Sequence, residues 1–318
     1  MKLTIHSDLS EESLTFARQL GVTHLKVDGG MFMEERRGPV QRKKLMEAIR
    51  LAGSYGLRIG VVLLPQDPGS QHWNIRLGRP EREREVEDVC RSVEVVGKAG
   101  IPVVEYVFNL TATWGSEFGP FARGGARTRR FDYDVAKQAP AEPEFRASED
   151  EVWERIEFFL RRVVPAAEEA GVKLACHPDD PPVPSLRGET RVLGTMEGLK
   201  RLIEIVPSEA NGINFCQGTV AEMGVDVIEA IRYFGSRGKI HHVHFRNVKG
   251  SVPRFTESFI DDGDVDMLEA MRAYKEVGYT GTIMPDHAPG VLGDHRIGHA
   301  FALGYIKALM KAVGVPEE

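Results

Sequence analysis

Four short apolar segments in the second half of the chain each end in a side chain able to hold a metal ion. The first runs into Cys176-His177-Pro-Asp-Asp-Pro-Pro182, and the second ends at Asn214-Phe-Cys216-Gln-Gly218. The third ends at His242-Val-His244-Phe-Arg246-Asn247, and the fourth at Met284-Pro-Asp286-His287. His177, Cys216, His244 and Asp286 together offer two imidazoles, a thiolate and a carboxylate. Zinc and iron(II) suit that mixed set, and manganese tolerates its imidazoles and carboxylate. One histidine at a strand end is more often a hydrogen-bonded rim residue than a ligand. Four metal-competent side chains on four successive segments point instead to a metal centre.

The neighbours of these four extend the chemistry. His287 adjoins a ligand and belongs to the residue type that titrates near neutrality, which makes it the acid–base candidate. Arg246 carries a planar fork that can grip a substrate carboxylate at two points, although the same fork suits a carboxylate of the protein. Asp179 and Asp180 follow His177 in a proline-rich turn, where they can orient that ring or cap the turn. Asn109, Asn247 and Glu257 are weaker candidates for binding hydroxyl groups. His242 shares a strand face with His244 and His241 takes the opposite face, and both read as structural. Cys176 points away from His177 and reads as a buried apolar thiol, and Cys90 as helix packing.

Such residues converge only if the strands that end in them lie side by side. Short apolar runs recur at 3–6, 24–27, 58–64, 103–108, 173–176, 212–216, 241–245 and 282–284, each followed by an amphipathic helical stretch. The helical patterns cover 11–20, 41–55, 80–99, 150–170, 195–205, 225–234, 266–277 and 298–313. Runs this short and rich in Val, Ile and Leu suit strands buried on both faces. Gly21, Gly56, Gly100, Gly171 and Gly278 each close a helical pattern and lead into a strand, as a left-handed helix cap does. Pro80 suits a first helical turn, Ser148 and Glu151 have capping-box spacing, and Pro165 should bend its helix. Eight strand–helix units over 318 residues predict one α/β domain, a (β/α)₈ TIM barrel with its site on the loops leaving the strands' C-terminal ends. A doubly wound sheet is the alternative, but no strand leads into G-x-G-x-x-G. The non-repeating stretch at about 110–149 follows the fourth strand and is expected at the mouth as a lid or interface arm.

Composition narrows the partners. The formal net charge of −6 argues against nucleic acid, and the basic run 123–130 reads as a solvated loop unless it meets an anion. The N-terminus lacks the apolar core of a secretory signal, and no apolar run approaches the ~20 residues needed to cross a bilayer. Three cysteines without disulfide-like spacing fit a reducing, cytoplasmic setting.

Taken together, the strand-end motifs resemble the mannonate dehydratase family. The similar stretches are Ile75-Arg-Leu-Gly-Arg-Pro-Glu-Arg82, His177-Pro-Asp-Asp-Pro-Pro182, Asn214-Phe-Cys-Gln-Gly218, His244-Phe-Arg-Asn247, Phe255-Thr-Glu-Ser-Phe259 with Asp262-Gly-Asp-Val-Asp266, and Pro285-Asp-His287. They run in the family's order over about two thirds of the chain, which no single short motif does. The resemblance implies a xylose isomerase-like barrel and a lyase that dehydrates D-mannonate to 2-keto-3-deoxy-D-gluconate. It also implies manganese as the usual metal, on His177, Cys216, His244 and Asp286, with His287 as the acid–base histidine. A homo-oligomer acting on a small sugar acid is expected. One departure stands out: the family's loop tyrosine after the Asp-His pair is missing from 288–299, and Tyr305 beyond it reads as helix packing. His295 or His299 is the expected replacement, with a metal-bound water, a partner-chain residue or a different substrate as the alternatives. The competing reading is a metal-dependent sugar isomerase or epimerase on the same barrel, although such enzymes use paired glutamates that strand ends five to eight lack. A protein that kept the site without turnover is the third.

Overall fold

The computed structural model describes residues 1–34, 36–111, 115–294 and 296–316. Eight parallel strands close into a barrel: β1 Lys2–His6, β2 His24–Asp28, β3 Arg58–Leu63, β4 Val103–Val107, β5 Lys173–His177, β6 Asn211–Cys216, β7 Ile240–His244 and β8 Thr282–Met284. They follow one another around the ring in chain order, and β8 pairs with β1 through Lys2 and Thr282. The eight major helices are α1 Glu11–Gln19, α2 Arg42–Ser54, α3 Arg82–Lys98, α4 Glu149–Ala170, α5 Met196–Ile205, α6 Val227–Gly235, α7 Met267–Glu276 and α8 Ile297–Ala312. Their apolar faces pack on the outer surface of the strands in one large core, while Val61, Val103 and Ala175 fill a smaller cluster of their own. Among the described residues no helix is long and apolar enough to cross a membrane.

The glycine caps and the capping box read from the sequence act where expected, and Pro80 does not. Gly21, Gly56, Gly100, Gly171 and Gly278 all have φ between 67° and 80°, the left-handed region that ends a helix without a Cβ penalty. Ser148 and Glu151 form a reciprocal capping box, and α4 continues through Pro165 as one 22-residue element. Pro80 does not open a helix. A short helix, Trp73–Leu77, ends at left-handed Gly78, and α3 begins only at Arg82. Pro80 therefore sits in the turn between the two.

The stretch after β4 is more ordered than a loop. Glu117–Gly119 and Thr128–Asp132 pair as a hairpin, and Thr128–Asp132 pairs in turn with Arg254–Glu257 from the connection after β7. Val248–Ser251 completes this four-stranded antiparallel sheet. Phe131 and Phe255 stack across it at 5.1 Å and share a small core with Ala136, Val183 and Leu186. Mutual backbone hydrogen bonds between Arg127 and Gly290, of 3.0 and 2.8 Å, tie the hairpin to the loop after β8. The sheet thus fixes the β7 and β8 loops at the C-terminal mouth of the barrel.

Candidate active site

Residues two apart on a strand share a face, so the barrel interior is built in layers. Register pairs Cys216 with His244 and, one layer below, Asn214 with His242. His177 ends β5, and its ring lies 5.2 Å from that of His244. His177, Cys216 and His244 each present a ligand atom within 4.8 Å of the others. The Asp286 carboxylate approaches from the fourth side, 3.5 Å from His244 Nδ1. All four expected ligands therefore meet at one end of the barrel, three in a tight triangle and Asp286 beside it.

The surrounding groups prepare these donors. His177 Nδ1 donates to the Pro178 carbonyl (2.7 Å), which leaves Nε2 facing Cys216. Such a carbonyl partner fixes ring orientation and tautomer in metal-binding histidines. His244 Nε2 is held by Lys26 Nζ at 3.1 Å and Asn214 Nδ2 at 3.0 Å. Its Nδ1, buried and without a hydrogen-bond partner, is the atom turned toward Asp286. Burial pushes the Cys216 thiol up, but the Arg246 guanidinium and His177 outweigh it and hold the group well below the usual thiol range. Asp286 is likewise held well below the carboxylate range, with His287 and His244 overcoming burial. A thiolate, a carboxylate and an orphaned buried imidazole nitrogen aimed at one point fit a divalent cation.

Arg246 does not reach into open space. It is 2% exposed, and its fork is engaged by the protein: Nη1 donates to Glu222 (2.7 Å) and Glu257 (3.0 Å), Nη2 to Asp180 and Thr219, and Nε to Cys216 Sγ at 3.3 Å. Asp286 lies 3.3 Å from Nε as well. Of the two readings open from sequence, the geometry favours the structural ion pair, because every donor already faces an acceptor. Asn247 is corrected too. Its amide spans the backbone of Val248, Ile260 and Val265 and shapes the β7 loop instead of binding hydroxyl groups. Asp179 accepts from Leu193 N (2.7 Å) and so ties its turn to the segment before α5 instead of capping it, and Asp180 belongs to the Arg246 network.

His287 stands beside the ligands. Its Nδ1 is 2.7 Å from Glu257 Oε1 and its Nε2 3.6 Å from Asp286. Burial lowers its affinity for a proton, but Asp286 and Glu257 outweigh that and raise the pKa to about 9. A cavity of about 200 Å³ adjoins the cluster, lined by Lys26, Glu105, Asn109, His177, Asp286 and His287 among others. It adjoins an outer cleft of about 880 Å³ where His287 and His299 share the wall with Arg127 and Arg129. His299 is thus near the site, whereas His295 lies outside the described residues. Tyr305 packs against the barrel core, as its place in a helix predicts.

Sequence reasoning missed the layer beneath. Lys26 Nζ pairs with Glu105 at 2.6 Å, with both side chains almost fully buried. Asn214 Nδ2 donates to Glu105 (2.9 Å), and His242 Nδ1 lies 2.7 Å from Thr282 Oγ1. Burial would raise the Glu105 carboxyl, but Lys26 and the nearby histidines bring it down to about 2. A signal was present. Lys26 in His-Leu-Lys-Val-Asp and Glu105 in Val-Val-Glu-Tyr-Val put charges inside strands buried on both faces, where a charge must find a partner.

Against known proteins, residues 141–317 match the family model described as D-mannonate dehydratase (UxuA). Mannonate dehydratase 2 of Halalkalibacterium halodurans is 31% identical over 276 residues, covering 76% of this chain and 80% of that protein. The mannonate dehydratase of Thermotoga maritima is 30% identical over 314 residues, covering 84% and 85%. Among solved structures, mannonate dehydratase from Streptococcus suis serotype 2 superposes with a TM-score of 0.87 at 25% identity, over 100% of this chain and 97% of that one. A D-psicose 3-epimerase from Clostridium cellulolyticum H10 superposes at 0.66 with 15% identity, covering 98% and 99%. At that identity the likeness concerns the fold alone.

Proposed function

This chain belongs to the D-mannonate dehydratase family, a family of hydro-lyases, and from that premise we propose that it converts D-mannonate to 2-keto-3-deoxy-D-gluconate and water. The observation that carries the reading is the convergence of His177, Cys216 and His244 within 4.8 Å, with Asp286 adjacent and His287 beside it over one cavity. We assign the four as ligands of a divalent ion, manganese first, with iron(II) and zinc as the alternatives the thiolate favours. Bound there, the ion would act as a Lewis acid that stabilises negative charge developing next to the substrate carboxylate.

The remaining work falls to this chain's side chains. The proton on C2 must leave and the hydroxyl on C3 must depart as water. With the Glu257 carboxylate at its Nδ1, His287 can carry the proton that the departing hydroxyl takes up, so it suits the acid of the reaction. Glu257, anchored by Arg246, orients the ring and sustains its charge. His299, on the wall of the outer cleft, takes the second proton-transfer role in place of the absent tyrosine, with His295 as the other candidate. Arg246 acts as a positioning residue that gathers Cys216, Asp286, Asp180 and Glu257 around one guanidinium. Asn109 lines the inner cavity and is available to substrate hydroxyls.

Three free cysteines fit a cytoplasmic setting. The exposed apolar side chains Phe118, Leu292 and Phe301 support a homo-oligomer, which sedimentation analysis tests. The deciding assay incubates metal-reconstituted protein with a panel of five- and six-carbon aldonates and, separately, free ketoses. Formation of a 2-keto-3-deoxy acid from mannonate is expected. Epimerised ketose with no keto acid from any aldonate would replace this reading with the isomerase one.

A further inference from the structure

The layer below the proposed metal centre contains a second set of ligands. Glu105, His242 and His244 each turn a ligand atom to within 4.8 Å of the other two, and all three are buried. His242 is oriented as a ligand would be: Nδ1 engages Thr282, and Nε2 is buried with no hydrogen-bond partner. His244 is common to both sets, with Nδ1 toward Asp286 and Nε2 toward Glu105; to hold an ion on each nitrogen the ring gives up its remaining N–H proton to solvent and bridges as an imidazolate. A cage of one carboxylate and two imidazoles suits zinc or a similar divalent ion.

A cation is already there. Lys26 Nζ lies 2.8 Å from Glu105 Oε1, 2.6 Å from Oε2 and 3.1 Å from His244 Nε2. We propose that the Lys26 ammonium is the resident cation of this Glu105–His242–His244 cage and closes it to a divalent ion, so that the centre above stays mononuclear. The physical reason is twofold. The ammonium neutralises the one carboxylate that would attract an ion, and a divalent ion a few ångströms from a fixed positive charge in a buried site is repelled. Lys26 is a positioning residue on this view: it locks Glu105 and His244 while lining the floor of the cavity. The inference uses the upper-site reading only for the expected ion count, and the experiment separates the two.

The test measures bound zinc per folded chain by mass spectrometry after equilibration with zinc chloride and desalting. One ion is expected in the wild type and two in Lys26→Ala. Lys26→Ala/His242→Ala should return to one, because the new site loses a ligand. Should circular dichroism show that Lys26→Ala does not fold, Lys26→Ser, whose hydroxyl can still meet Glu105, is measured against the same expectation. An unchanged count in the folded Lys26 variant, or two ions in the wild type, overturns the proposal. None in the wild type and one in the Lys26 variant supports the caged lysine while removing the upper metal centre.

Discussion

His287 is held by contacts that make its behaviour testable one residue at a time. General acid–base groups contribute ~10²–10⁴-fold, so His287→Asn should retain the bound ion while kcat on mannonate falls by that order. Near-normal kcat would remove the residue from the proton-transfer role. Glu257 is one of two carboxylates that keep the ring charged, so Glu257→Gln should shift the alkaline limb of the pH–rate profile to lower pH. The same raised pKa carries a stability consequence for the metal-free protein. A histidine raised from 6.5 to about 9 in the fold contributes stability fully present below its unfolded value and lost as pH climbs through 9. Urea midpoints of metal-free protein should therefore drop between pH 6.5 and 9.5, and His287→Gln should flatten that drop. Equal pH dependence in both proteins would show that another group is responsible.

At the scale of elements, the helix caps and the mouth sheet do different work. Gly171 closes α4 at φ 67° with open space where a Cβ would be built, so Gly171→Ala meets backbone strain and no clash. A loss of about 1 kcal/mol follows from the left-handed penalty for L-residues, read as a lower urea midpoint with activity unchanged. The four-stranded sheet instead carries Glu257 to His287. Its core, around Phe131 and Phe255, is separate from the barrel core, so the two can fail separately. Phe131→Ala should open the sheet locally, exposing residues 115–132 to protease and lowering kcat, while the helical circular dichroism of the barrel persists. Protease resistance equal to wild type would show that Phe131 does not hold the sheet.

Across the whole molecule, Arg246 ties together segments that are far apart in sequence. Its partners come from the loop after β5, from β6 and the short helix Gln217–Glu222 that follows it, from the mouth sheet, and from the loop after β8. Removing one member of a buried ion network leaves the others uncompensated and typically costs 3–5 kcal/mol. Arg246→Met should therefore lower stability by about that much and loosen ion binding together with it. Arg246→Lys should not rescue, because a single ammonium cannot reproduce a five-donor planar fork. Full recovery in the lysine variant would mean that net charge, and not geometry, is what the network needs.

What the sequence determined by itself is whatever depends on neighbours along the chain. Glycine caps, the capping box, strand lengths and the alternation of strand and helix are local effects, and they sufficed to read the barrel. The four proposed ligands and His287 were readable for the same reason: each ends a strand or follows it within three residues, and a closed parallel barrel brings such ends to one rim. Where residues met across the fold, the sequence was silent. Lys26 and Glu105 lie on different strands, and only barrel closure pairs them beneath His244. Arg246 looked equally fit for substrate or for protein carboxylates until Asp180, Glu222 and Glu257 arrived around it from three other segments. The hairpin at 117–132 carries no local sign that its partner strand is Arg254–Glu257, because sheet pairing between distant segments is decided by packing and not by propensity.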